Sequence, residues 1–309
     1  MKKSVYAAVL IAASASVAFT AQAQFTVTAV QSSKKAEKEQ PVPTLSDPGL
    51  YDVLGTSKYV ALYDYNVNTT DKGGAPVAET YVTALRIGDD GALFTDYLTY
   101  KSDSLIACGA PAQEIKNAAD ECGKAEFFFE PTVVQNMPEG MVVVYDQTAI
   151  TLATYSEPFG EIAWELTGET DSVAGYQASA AIGEYGGRKW KVWFTEEIPV
   201  TFGPWKLAGL PGLVLQADDS EGLLGFRLIQ FTKSEVPLAI AKNANVVKTE
   251  RDKFIRQKNS NLQNPMEAIN PASISSMTVL KSANKSPRFV INGVNVRMPV
   301  NTCIPLELK

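Results

Sequence analysis

The reading of residues 186–231 decides the fold. Gly186-Gly187-Arg188-Lys189-Trp190-Lys191-Val192-Trp193-Phe194-Thr195-Glu196-Glu197-Ile198-Pro199 is followed by Phe202-Gly203-Pro204-Trp205-Lys206-Leu207-Ala208-Gly209-Leu210-Pro211-Gly212-Leu213-Val214-Leu215. An acidic turn and a further apolar run to Phe231 complete it. Trp190, Val192 and Phe194 alternate with Lys189, Lys191 and Trp193, the period-two pattern of a half-buried strand. Leu213 to Ala217 and Leu223 to Phe231 read as two more strands, joined at Asp218-Asp219-Ser220-Glu221-Gly222 by a hairpin loop. Pro199, Pro204 and Pro211 each remove a ladder donor, so the segment between Phe194 and Leu213 is not plain strand. Pro204 at the start and Gly209 at the end predict one short helical turn over Gly203–Gly209. Its Trp205, Leu207 and Leu210 either plug one end of a curved sheet or form the lip of a binding site.

Working outward, the N-terminal side continues the strand pattern. Tyr59, Ala61, Tyr63, Tyr65 and Val67 share one side of a strand. Thr80–Ile87 and Ala92–Leu98 follow, around Gly88-Asp89-Asp90-Gly91. Glu126–Glu130, Met141–Asp146 and Ala149–Tyr155 predict three short strands. Ile162, Trp164 and Leu166 predict a half-exposed one, and Tyr176–Ile182 another with small residues at Ala178 and Ala180. Glu250–Leu262 predicts a charged helix, and Asn292-Gly293 a hairpin between 288–291 and 294–298. The expected fold is mainly β: a large curved antiparallel sheet or half-barrel over 51–242, with a C-terminal helix and hairpin extension over 243–309.

Residues 102–124 interrupt this pattern and carry Cys108 and Cys122 around a predicted helix at Ala112–Glu121. In an oxidising compartment these two cysteines are expected to pair as a disulfide, closing a loop that contributes about 3 kcal/mol on the chain-entropy model. Cys303 is then a buried thiol or a competitor for one of the pair. The pair lacks CxxC spacing, and no histidine is present to complete a metal site. No metal or other cofactor is expected.

Residues 1–23 predict an export signal: Lys2-Lys3, an apolar centre from Val5 to Phe19, and Ala21-Gln22-Ala23 before the cleavage point. Residues 24–50 predict a flexible lead, polar and charged from Gln31 to Pro48. Nothing downstream has the length of a transmembrane span. The expected location is the periplasm or cell exterior. The chain of 309 residues has a net charge of −6, which argues against nucleic-acid partners. The absence of histidine excludes Ser-His-Asp and Cys-His catalysis.

The run Gly209-Leu210-Pro211-Gly212-Leu213-Val214 resembles the signature of the GLPGLI family of secreted Bacteroidota proteins. The resemblance extends to Trp164, Gly175-Tyr176, Gly187-Arg188, Trp190, Trp193-Phe194-Thr195, Ile198-Pro199 and Gly203-Pro204-Trp205, and spans roughly 59–242. It implies export and carries no activity. The family pattern often has a cysteine where this chain has Ala178, and the insertion with Cys108 and Cys122 looks particular to this chain.

The leading functional expectation is a non-enzymatic envelope protein that holds a lipid, peptide or partner segment against the sheet. Its candidate ligand-binding residues are Arg188, Trp190, Trp205, Leu207 and Tyr176. Arg188 has two candidate partners, a ligand carboxylate or an acid of the sheet. A carboxylate hydrolase using acids such as Glu161 and Glu165 is one alternative. A structural partner in an outer-membrane assembly is the other.

Overall fold

A computed structural model describes residues 44, 45, 47–125, 128–280 and 288–309. The predicted export signal, most of the lead, and Glu126 and Phe127 lie outside the described residues. In chain order come β1 (Tyr51–Thr56), β2 (Tyr59–Thr70), β3 (Pro76–Ile87), β4 (Ala92–Asp96), α1 (Tyr97–Ala107) and α2 (Ala112–Lys124). Next are β5 (Thr132–Gln135), β6 (Met141–Thr148), β7 (Thr151–Pro158), β8 (Glu165–Val173) and β9 (Tyr176–Tyr185). β10 (Arg188–Thr195), β11 (Leu213–Asp219), β12 (Leu224–Lys233), β13 (Pro237–Ala241) and β14 (Val247–Lys248) precede α3 (Arg251–Asn261). β15 (Met277–Leu280), β16 (Arg288–Ile291) and β17 (Val294–Arg297) complete the order.

Twelve strands form one sheet in the order β14-β7-β6-β5-β4-β3-β2-β12-β11-β10-β9-β8. Its pairs are antiparallel except β14 with β7, which is parallel, and among the described residues no pairing joins β8 to β14 to close a barrel. The sheet nevertheless curls on itself. β7 and β9 are nine strand steps apart, on the order of 43 Å if the sheet were flat. Yet Tyr185 of β9 donates its hydroxyl to Glu157 Oε1 of β7 at 2.7 Å. The two wings therefore face each other across the concave side.

The strand pattern explains what fills that side. Tyr63, Tyr65 and Val67 of β2, Phe94 of β4, Val144 of β6, Trp190 and Val192 of β10 and Phe226 of β12 point into one buried core. Stacking orders it: Tyr65 and Phe226 lie 4.6 Å apart between ring centroids, and Phe94 meets Phe129 edge-on at 5.2 Å. α3 adds Phe254 and Ile255 to the same core. The opposite side is covered by α1 and α2. Val60, Leu62 and Ala84 pack under Tyr97 and Tyr100, while Leu105, Ile106, Ile115 and Ala118 pack with Tyr51 and Ala239 of the β1–β13 ribbon. Arg86 of β3 and Asp103 of α1, both fully buried, join sheet to helix at 2.6 Å.

The expected disulfide is absent: Cys108 and Cys122 are not bonded to each other. Cys108 caps the exposed end of α1, with its Sγ 3.4 Å from the Leu105 carbonyl oxygen. Cys122 faces inward from α2 beside Ala119, Leu98 and Phe128. Cys108 faces solvent and Cys122 the interior, so the two thiols point into different surroundings. Tyr97 and Leu98, read as strand, begin α1, whose N-cap is Asp96 with its carboxylate accepting from Leu98 N at 2.7 Å. Residues 128–130 are not strand, and the pairing segment is β5. Ile162 and Trp164 precede β8. Trp164 lies over Gly183, where a Cβ would meet its ring at 2.7 Å. The Asn292-Gly293 turn forms as predicted, both residues having positive φ. It joins β16 to β17 in a separate three-stranded sheet rather than at the edge of the large one.

Candidate functional site

Gly203–Gly209 is not helical. Leu207 N donates to Pro204 O at 3.0 Å, a single β-turn with Trp205 at φ 55°. Gln135 of β5 fixes this turn from below, its Nε2 donating to the carbonyls of Gly203 and Trp205, each at 2.7 Å. Trp164 Nε1 donates to Ala208 O at 2.9 Å. These bonds satisfy a backbone segment that no ladder serves.

Of the residues singled out in the sequence, Trp190, Trp205 and Leu207 come together in the core, each at most 1 % exposed. The Trp190 and Trp205 rings lie 6.0 Å apart. Arg188 is also buried. Its NH1 pairs with Asp219 Oδ2 at 2.6 Å, and its NH2 donates to Pro305 O at 2.7 Å. Asp219 Oδ1 accepts from Leu223 N and Leu224 N, so this ion pair locks the β11–β12 loop. Tyr176 is not part of the group. It sits at the far end of β9, roughly 30 Å along the strand from Tyr185 at the usual rise per residue.

The turn that buries Trp205 also buries Lys206, whose side chain is 1 % exposed. Its Nζ lies 2.6 Å from Glu157 Oε1 and 2.7 Å from Glu307 Oε1. It also lies 3.1 Å from Tyr155 OH and 3.2 Å from Tyr185 OH. The Tyr155, Tyr185 and Trp205 rings surround it within 5.5 Å. Arg251 of α3 completes the cluster, with Nε 3.0 Å from Glu157 Oε2 and NH2 paired with Glu307 Oε2. Burial lowers the affinity of its guanidinium for a proton, but Glu307, Tyr185 and Glu157 outweigh this and hold its pKa above the ordinary arginine value. Burial, then the same two carboxylates, raises the pKa of Tyr155 and Tyr185, so both phenols stay neutral.

Glu307 reaches the cluster on an extended strap, residues 301–309, that crosses the mouth of the concave side. Thr302 N donates to Thr70 O at 2.8 Å and Thr69 Oγ1 donates to Thr302 O. Cys303 N and O bond the side chain of Gln263, Asn259 Nδ2 donates to Glu307 O at 2.8 Å, and Leu308 N donates to Gly186 O at 2.6 Å. Gly186 and Gly187 make this approach possible: a Cβ at Gly186 would stand 3.0 Å from Glu307, and one at Gly187 3.0 Å from Leu308.

Beside the strap lies a cleft of about 260 Å³, lined in part by Tyr65, Tyr81, Phe129, Asp146, Lys258 and Cys303. Lys258 Nζ sits 2.7 Å from both carboxylate oxygens of Asp146. Burial opposes its charge, but Asp146 and Glu130 prevail and raise its pKa. Burial, with Glu130 and Glu79 nearby, pushes the Cys303 thiol up to about 11, so it is a poor nucleophile near neutrality. Among the described residues no group of His, Cys, Asp and Glu is placed to hold a metal ion, and no helix is long and apolar enough to cross a membrane. Glu161 and Glu165 are exposed near the β8 edge.

Sequence reasoning missed Lys206, Glu157, Tyr155, Tyr185, Arg251 and Glu307 as a set. The signal was Lys206 itself, one ammonium in an otherwise apolar run, which if buried requires a partner.

A family model described as "Protein of unknown function (Porph_ging)" matches residues 188–216, the stretch that carries Arg188, Trp190, Trp205, Lys206 and Leu207. No curated protein matches. Among solved structures, two of PNGF-II, in space groups P21 and C2, are similar at 14% identity and a TM-score of 0.42. Each match covers 73% of this chain and 35% of the other, so this chain spans about a third of their length.

Proposed function

We propose that this is an exported, non-enzymatic envelope protein whose curved sheet holds an extended polypeptide segment. The observation that supports it is the strap. Backbone atoms of Thr302, Cys303, Pro305, Glu307 and Leu308 are each bonded by a group elsewhere in the fold, as recognition of extended peptide requires. Reading residues 1–23 as an export signal places this binding outside the cytoplasm. The test is native mass spectrometry of the protein purified gently from its own envelope fraction, followed by titration with a panel of acidic, basic and apolar octapeptides. An adduct that fragments as peptide, or saturable binding of one class, is the expected result. A clean unliganded mass together with no binding by any member of the panel overturns the reading.

A further inference from the structure

The strap shows which chemistry its site accepts. Without Glu307, the buried chamber behind Trp205 would hold two cations, Lys206 and Arg251, against one carboxylate, Glu157. Lys206 would be the worse affected, since its side chain is 1 % exposed and its walls are aromatic rings. Arg251 also meets Asp252 at 3.0 Å, but that carboxylate is 70% exposed and compensates weakly. Glu157 still touches both Lys206 and Arg251, so one net positive charge would remain in a buried place, which is costly and favours an occupant of the strap's position that brings an anion of its own. The geometry adds a second requirement. Gly186 O receives the N–H of the residue after the acid, and the side-chain-free backbone of Gly186 and Gly187 lets that segment lie flat.

Building on the extended-segment reading above, we propose that residues 302–309 are an internal pseudoligand in a carboxylate receptor. The receptor is formed by Lys206, Arg251, Tyr155 and Tyr185. Its exchange ligand is an extended acidic peptide of a second polypeptide, with a glutamate where Glu307 stands and an apolar residue just before it, as Leu306 packs against the core here. Lys206 and Arg251 read the carboxylate, and Gly186 O reads the backbone beside it.

The probe is a fluorescent octapeptide copying residues 302–309, with serine in place of Cys303, and a twin in which its glutamate is glutamine. Anisotropy titration is run on the full chain, as wild type and as Glu307→Ala, with circular dichroism to establish that the variant is folded. The glutamate peptide should bind Glu307→Ala about tenfold or more tighter than it binds wild type, and about tenfold or more tighter than its glutamine twin, as loss of charge-assisted bonds implies. On unmodified protein, millimolar glutamate peptide should speed hydrogen exchange at the amides of Thr302 and Leu308, which keeps the test decisive if the variant does not fold. Equal binding of both peptides would overturn the carboxylate receptor and leave the extended-segment reading standing. If neither peptide binds folded Glu307→Ala and exchange in wild type is unchanged, exchange of the strap is overturned together with peptide binding at this site.

Discussion

Lys206 Nζ stands 2.7 Å from Glu307 Oε1 across 101 residues of sequence, and both side chains are buried. This pair fastens the strap to the turn that carries Trp205. Replacing Lys206 leaves two largely buried carboxylates, Glu157 and Glu307, to share Arg251 alone. Lys206→Met is therefore expected to cost about 3–5 kcal/mol of unfolding free energy. The exposed Lys189→Met should stay within about 0.5 kcal/mol of wild type. Urea denaturation of both variants is the check. A loss below about 1 kcal/mol in Lys206→Met would mean that the cluster is not tightly paired.

Gly212 sits where the turn segment rejoins β11, and a Cβ there would overlap the Thr195 carbonyl on β10. Backbone cannot yield as a flexible side chain can, so Gly212→Ala should destabilise by about 3 kcal/mol, the upper range for overpacking. Gly49→Ala, where the nearest atom is the Asp47 carboxylate at 3.1 Å, should cost far less. Thermal melts of the two variants separate the cases. Similar melting temperatures would show that β10 and β11 can part at this point.

What was legible in the sequence was what local pattern decides. The alternation in Arg188–Thr195, the acidic loop at 218–222 and the Asn292-Gly293 turn each carry their own geometry, and each formed. The turn at Trp205 was not legible, because a left-handed tryptophan is held there by Gln135, which lies 70 residues away. The start of helix α1 was missed because Tyr97-Leu98 reads as the end of the strand begun at Ala92 until Asp96 is recognised as the helix cap. The charged cluster was hidden for another reason. Glu157, Arg251 and Glu307 are ordinary acids and bases in their own neighbourhoods, and the curl of the sheet, the packing of α3 and the crossing of the strap bring them together around Lys206.

The cysteines make a direct prediction about reactivity. Exposed Cys108 should react with maleimide in the native protein, Cys122 only on unfolding, and Cys303 slowly, since its raised pKa leaves little thiolate near neutrality. Mass spectrometry after timed labelling reads each site separately. A reducing agent should leave the urea midpoint unchanged, because no bond between Cys108 and Cys122 contributes to it. A midpoint that falls on reduction would restore the disulfide expected from composition.

Asp96 gives the fold a pH dependence of unusual sign. Its carboxyl is buried under α1, and burial raises its pKa to about 7 although Phe129 N and Leu98 N both donate to it. In the unfolded chain an aspartate titrates near 3.9. Between these values the folded state binds a proton that the unfolded state has released, so this contribution to stability is complete below about pH 3.9 and is lost as pH rises through 7. The slope from this one group approaches about 1.4 kcal/mol per pH unit. Asp96→Asn cannot titrate, and its stability should change less between pH 4 and about 7 than that of wild type, by as much as this slope allows. Urea denaturation of both proteins across the range decides the matter. Parallel profiles would mean that the two backbone donors keep Asp96 ionised and outweigh its burial.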